Sequence, residues 1–349
     1  MPSLGKRPAD APSYPWVSWL NESPLKKLLP VLLKLAKGVA VLVLITLLNF
    51  FLIRLAPGDP VQVLAGEAGS ADPQFIAQLR AQFMLDQPLH VQLGKYLWDV
   101  AHFDLGFSYR QHESVIHLIW DRLPATLLLT GTAFVFAIVT GIALGVVAGM
   151  RAGKGVDWLV SGLSLVFFAT PLFWLSLLMV MLFSVWLNVF PSSGMETIGA
   201  NLEGWAYVGD VASHLALPAL TLGLFYMGIY ARMTRASVLE VKGLDYVRTA
   251  IAKGVHPRLV VRRHVLRNAL PPIVTLAGMQ AGQLLGGAIL TETVFAWPGI
   301  GRLAFDALLQ RDYSVLLGVF FMASLMVIVF NWLTDLLHGL IDPRTEAAQ

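Results

Sequence analysis

Apolar residues along this chain gather into six runs separated by polar stretches, most of them long enough to read as membrane spans. The first covers Gly38 to Ile53 without a charge. With Arg54, Leu55 and Ala56 it reaches about 19 residues, which at about 1.5 Å per residue crosses a hydrocarbon core about 30 Å thick. The second, Pro124 to Met150, stops at Arg151 and Lys154. The third, Val156 to Phe190, is too long for one upright span and too short for two with a loop. Pro171 removes a backbone hydrogen bond there and predicts one long bent span, with a re-entrant pair as the alternative. The fourth runs from His214 to Ala231, the fifth from Pro271 to Phe295 and the sixth from Leu316 to Leu337. The pattern predicts an all-α integral membrane protein with six transmembrane helices, its core covering residues 123–341.

The polar stretches differ in length and charge. Residues 1–37 form a basic lead-in, within which Leu25 to Lys37 fits an amphipathic helix lying on the membrane surface. No small-residue cleavage site follows the first run, so an uncleaved anchor spanning 38–56 is expected. Residues 57–122 form a long external segment, and Pro191 to Ser213 a shorter one with Trp205 and Tyr207 at interfacial positions. The loop of residues 232–271 is the most basic stretch, with nine Lys or Arg between Arg232 and Arg267. Inside it Asp245 is placed to cap a helix, Tyr246 to Lys253 has room for about two turns, and Gly254 sits where a C′ glycine ends one. With both termini and this loop on one side, that side holds 18 Lys and Arg against 7 on the other. Such an asymmetry places the basic side, including the tail 342–349, in the cytoplasm.

Two of the runs carry glycines four residues apart, Gly141, Gly145 and Gly149 in the second and Gly278, Gly282 and Gly286 in the fifth. Such stripes let backbones approach closely. They predict close contacts near a translocation path, either between these two spans or against a partner subunit. Charge inside the runs is scarce. Glu292, near the outer end of the fifth, is a gate candidate, and the following turn holds Trp297, Pro298 and Gly299.

Composition narrows the function. The chain is 56% hydrophobic and 13% charged, which is membrane composition. A net charge of +3 is too small and too uneven to imply nucleic acid. Without cysteines there is no thiol catalysis and no Cys-type zinc site. Gly153-Lys154 is followed by Gly155 instead of Ser or Thr, and Ala148 stands where a phosphate loop has its first glycine. Gly299, Gly301 and Ala304 formally fit a dinucleotide fingerprint, but no strand is predicted before them. The spans also hold almost none of the relay carboxylates and histidines of ion-coupled carriers, with Glu292 near the outer end of the fifth and Asp335 near the inner end of the sixth, although a secondary transporter or channel remains the alternative.

The residues DYVRTAIAKG (Asp245 to Gly254) and HVLRNALPP (His264 to Pro272) resemble the cytoplasmic EAA loop of bacterial ABC importer membrane subunits. The form is that of the dipeptide and oligopeptide permease family. Arg248, Thr249 and Ala250 stand where the general motif has Glu-Ala-Ala, and Gly254 is its glycine. FLIRLAPGDP, LDQPL, DLGFS and RLPATLLL look like the first, B-type, permease subunit, and TETVFAWPGIG like the family's external turn. The resemblance implies the type I ABC importer permease fold in a bacterial inner membrane. Its coupling helix would use Asp245, Tyr246, Arg248, Thr249, Ala250, Lys253 and Gly254, with Tyr246 and Ala250 packing in an ATPase groove. It further implies a second homologous permease subunit, two ATPase subunits that hold ATP and magnesium, and a periplasmic or lipid-anchored binding protein. No cofactor or metal on this chain is implied. The cargo would be a dipeptide or oligopeptide, with a nickel complex, glutathione or a peptide-like antibiotic as alternatives.

Overall fold

The computed structural model of the chain describes residues 24–55, 74, 77, 80 and 86–341. Among them, four helices are long and apolar enough to cross a bilayer, within Leu32–Leu52, Val115–Met150, Gly204–Lys242 and Tyr313–Thr334, and a bent pair makes up to five. Most of the lead-in, much of the segment between 56 and 85, the tail 342–349 and the surroundings of Gly282 and Gly286 lie outside the described residues.

α1 (Pro24–Leu55) is one 32-residue helix. The basic stretch from Leu25 to Lys37 therefore continues the first span instead of forming the separate surface helix expected. Gly38 at the junction serves packing, since the ring of Trp332 comes within 2.9 Å of where a Cβ would stand.

α2 (Leu89–Ala101) and a small hairpin follow, with β1 (Phe107–Ser108) paired antiparallel to β2 (Glu113–Ser114), a minor exception to the all-α expectation. The hairpin is tied down at long range. Ser108 donates to the carboxylate of Asp312 at 2.5 Å, and Asp312 accepts from the Val315 amide at 3.2 Å, capping the last helix.

α3 (Val115–Met150) starts nine residues before Pro124, the expected start of the second span. Val115, Leu118 and Ile119 are buried against the final helices, so packing prolongs the element past its apolar run.

α4 (Gly155–Ala169) and α5 (Leu172–Met179, continued by a π-helical stretch Val180–Trp186) meet at 106°. This is sharper than the single bent span expected. Thr170 and Pro171 are both extended, with ψ of 127° and 132°, so two successive residues leave the helix where one proline would only kink it.

α6 (Gly204–Lys242), 39 residues long, is the most buried of the span candidates. It overruns the expected fourth span at both ends, and the loop starts only at Gly243. Gly141, Gly145 and Gly149 of α3 face Tyr230, Thr234 and Val238 of α6. Both sets step by four residues, so the two backbones lie in register along one seam. Gly223 and Gly228 do the same from the α6 side, against the ring of Phe136 and the carbonyl of Ser164.

α7 (Asp245–Ala252) follows, then a turn at Pro257–Leu259 and a π-helical stretch Val260–Leu266, which lead into α8 (Arg267–Val294), α9 (Ile300–Leu309) and α10 (Tyr313–Ile341). Gly278 of α8 packs on Thr334 of α10. The first glycine stripe thus faces α6, and Gly278 faces α10, instead of the two spans facing each other.

Candidate functional site

The loop between α6 and α8 is built to hold a short helix in a fixed pose. Leu244 occupies the N-cap position of α7, and Asp245 is its first helical residue, not the cap expected from its residue type. There the carboxylate complements the helix N-terminus and lies 3.8 Å from Arg248. At the other end Gly254 has φ +76°, as a C′ residue requires. The Gly254 amide donates to the Ile251 carbonyl at 2.9 Å and the Val255 amide to the Ala250 carbonyl at 3.2 Å, closing a Schellman motif.

One face of α7 belongs to the chain's own core. Val247 is buried in a cluster with Val238, Val241, Val260, Val265 and Ala269, and Ala250 is buried as well. Ala250 is therefore not free to pack into a partner, as the resemblance implied. The outward face carries Asp245, Tyr246, Arg248, Thr249, Ile251 and Lys253, all exposed. Ile251 is 58% exposed, and its spacing from Val247 alone did not mark it as the outward apolar residue. Tyr246 has a second job, since its hydroxyl donates to the His264 carbonyl at 3.2 Å and accepts from Asn268 Nδ2 at 2.8 Å. α7 is thereby fastened to the root of α8.

Three of the nine basic residues serve the fold instead. Lys242 donates to the Met150 carbonyl at the end of α3, at 3.1 Å. Arg232 lies over the Phe168 ring, 4.3 Å from its centre. Arg235 grips the carboxylate of Asp157 with two nitrogens, at 2.5 and 2.8 Å, and the Gly153 amide adds a bond at 2.9 Å. The Asp157 side chain is 6% exposed. Arg235→Met, which leaves this carboxylate without its cation, is expected to destabilise by roughly 3 kcal/mol. Arg235→Lys should lose less, and the temperature at which the detergent-extracted protein loses its monodisperse peak measures both.

A second constellation forms around Glu292, at the far end of α8. The carboxylate is fully buried, and it accepts from the Thr126 hydroxyl at 2.7 Å, the Arg302 amide at 3.0 Å and the Gly301 amide. Thr126 in turn accepts from the Ile300 amide at 2.8 Å, and Trp297, also fully buried, donates its ring N–H to the Ala125 carbonyl at 2.8 Å. Glu292 thus sits where an anion would at the N-terminus of α9. A Cβ on Gly299 or Gly301 would fall 2.2 or 2.9 Å from its carboxyl atoms. The glycines that mimic a dinucleotide fingerprint make room for an internal carboxylate. Glu292, Trp297 and Gly299, all buried, and the half-buried Pro298 form a knot joining α3, α8 and α9.

Glu113, His117 and Asp121, which no sequence motif marked, form a trio at four-residue spacing, half-buried at Glu113 and exposed at the other two, whose donor atoms lie within 4.8 Å of one another.

Comparison with known proteins adds the following. Residues 141–347 match the family described as binding-protein-dependent transport system inner membrane component, and residues 28–130 match the N-terminal region of such membrane components. The dipeptide transport system permease protein DppB of Escherichia coli strain K12 is 42% identical over 317 residues, covering 86% of this chain and 93% of its own. The di/tripeptide transport system permease protein DppB of Pseudomonas aeruginosa is 42% identical over 314 residues, with the same coverage. Among solved structures, the MetNI methionine ABC transporter in an inward-facing conformation aligns with a TM-score of 0.52 at 22% identity, over 65% of this chain and 97% of that one. That likeness concerns the fold.

Proposed function

Because the chain belongs to the family of binding-protein-dependent transport system inner membrane components, we propose that it is one permease subunit of an ATP-driven peptide importer and forms half of the translocation path. It crosses the membrane six times with both termini in the cytoplasm, which the 18 to 7 division of Lys and Arg supports. Its partners are a second homologous permease subunit, two ATPase subunits that bind ATP and magnesium, and an external binding protein that delivers the peptide.

The observation that carries this reading is α7, a helix pinned on its inner face and capped at its end, with an outward face of Tyr246, Arg248, Thr249, Ile251 and Lys253. Ile251 and the exposed part of Tyr246 enter an ATPase groove, and Arg248 and Lys253 meet its acidic or polar groups. Closure of the ATPase pair on ATP moves α7. Val247 passes that motion to α6 through Val238 and Val241, and Tyr246 passes it to α8 through Asn268. Opening of the path follows as rigid segments tilt.

Gly254→Val tests the coupling. No atom lies within 4 Å of a Cβ built there, so the variant suffers backbone strain alone. A left-handed conformation costs a residue with a side chain about 1–2 kcal/mol, enough to shift the loop's population roughly tenfold. Peptide uptake should fall by about that factor while the amount of protein in the membrane stays constant. Unchanged uptake would count against the reading, as would failure of two ATPase chains to co-purify with the wild type.

A further inference from the structure

The root of α8 carries positive charge that nothing in the fold uses. From Tyr246 to Thr291 the chain has no carboxylate, and Arg258, Arg262, Arg263 and Arg267 are all exposed. Among the described residues, none of these four guanidinium groups takes part in an ion pair or a side-chain hydrogen bond, unlike Arg235 and Lys242. The segment is nevertheless held firmly. Val260, Val265 and Ala269 are buried in the cluster that also holds α7, and the chain runs as helix from Pro257 through Val294.

Height along the helix says what these groups can reach. The apolar body of α8 begins at Ala269. At about 1.5 Å per residue, Arg267 stands about 3 Å and Arg262 about 10 Å outside it. The headgroup layer on each side of the hydrocarbon core is about 5–8 Å deep. Arg267 therefore stands within that layer, and Arg262 and Arg263, just beyond it, reach back to lipid phosphates with their long side chains; guanidinium groups bind phosphates through paired N–H donors.

We propose that Arg262, Arg263 and Arg267 form a binding site for the phosphate headgroups of anionic phospholipids in the leaflet that faces the coupling helix. This rests on the membrane orientation given above. An acidic protein surface is the other class of occupant. It is disfavoured because Arg267 lies within one turn of the apolar body. A bound headgroup neutralises the root of α8 beside the bond between Tyr246 and Asn268, and so steadies the height of α7.

The complex, purified with its ATPase subunits, is reconstituted into nanodiscs of phosphatidylcholine with increasing phosphatidylglycerol, and retained lipid is counted by native mass spectrometry. The wild type is expected to keep phosphatidylglycerol in preference to phosphatidylcholine. R262Q/R263Q should weaken that preference by roughly fivefold per charge removed. R262K/R263K should keep most of it, and R311Q, an exposed arginine far from α7 and the root of α8, should leave it unchanged. Equal retention by the wild type and R262Q/R263Q overturns the proposal. So does a loss of ATPase subunits from R262Q/R263Q with lipid retention intact, which assigns the face to the ATPase. Absence of ATPase subunits from the wild-type preparation bears on the permease reading instead, and the lipid count is then made on the chain alone.

Discussion

Gly145→Val is expected to leave little folded protein, with a loss of roughly 3 kcal/mol or more, at the upper end for overpacking. A Cβ at Gly145 would stand 2.5 Å from Thr234 Cβ and 2.6 Å from the Ala231 carbonyl oxygen. Both belong to the body of α6, so no flexible side-chain tip can swing aside. Gly141 and Gly149 are equally close to Tyr230 and Val238, so α6 cannot tilt away at one point without opening the seam along its length. Gly131→Val is the matched control, since it lies in the same helix with nothing within 4 Å of its Cβ. Size-exclusion profiles of detergent-extracted protein after stepwise heating compare the two. Similar profiles would refute the close seam between α3 and α6.

Glu292→Ala is expected to cost about 3–5 kcal/mol, because it strands several buried donors at once. The Thr126 hydroxyl and the amides of Gly301 and Arg302 would all lose their acceptor. Glu292→Gln keeps one acceptor oxygen and the shape of the side chain, so it should recover part of the loss. Gly299→Ala should imitate Glu292→Ala, since its methyl group would occupy the space of the carboxylate. For the same reason the pair should be far from additive. The same heating assay reads all four, and additive losses in the double variant would show that the glycine and the carboxylate do not share that space.

Much of the molecule was legible from local signals. Four of the long apolar runs marked helices long and apolar enough to cross a bilayer, because transfer of side chains into hydrocarbon adds up residue by residue. The short helix α7 was legible too, since Gly254 ends it by its own backbone freedom. Span ends were less so. α3 begins at Val115 and α6 runs on to Lys242 because neighbours cover those turns, and hydropathy does not register a neighbour.

The sequence by itself determined the helical membrane class, the basic loop and the stop at Gly254. Only the tertiary structure decided that Ala250 points inward, that Arg235 is spent on Asp157, and that Glu292 is buried at the N-terminus of α9. Periodicity reports what one element does along its own axis. The partners of Arg235 and Glu292 lie 78 and 166 residues away in the chain, and which of them come alongside is settled by packing of whole helices.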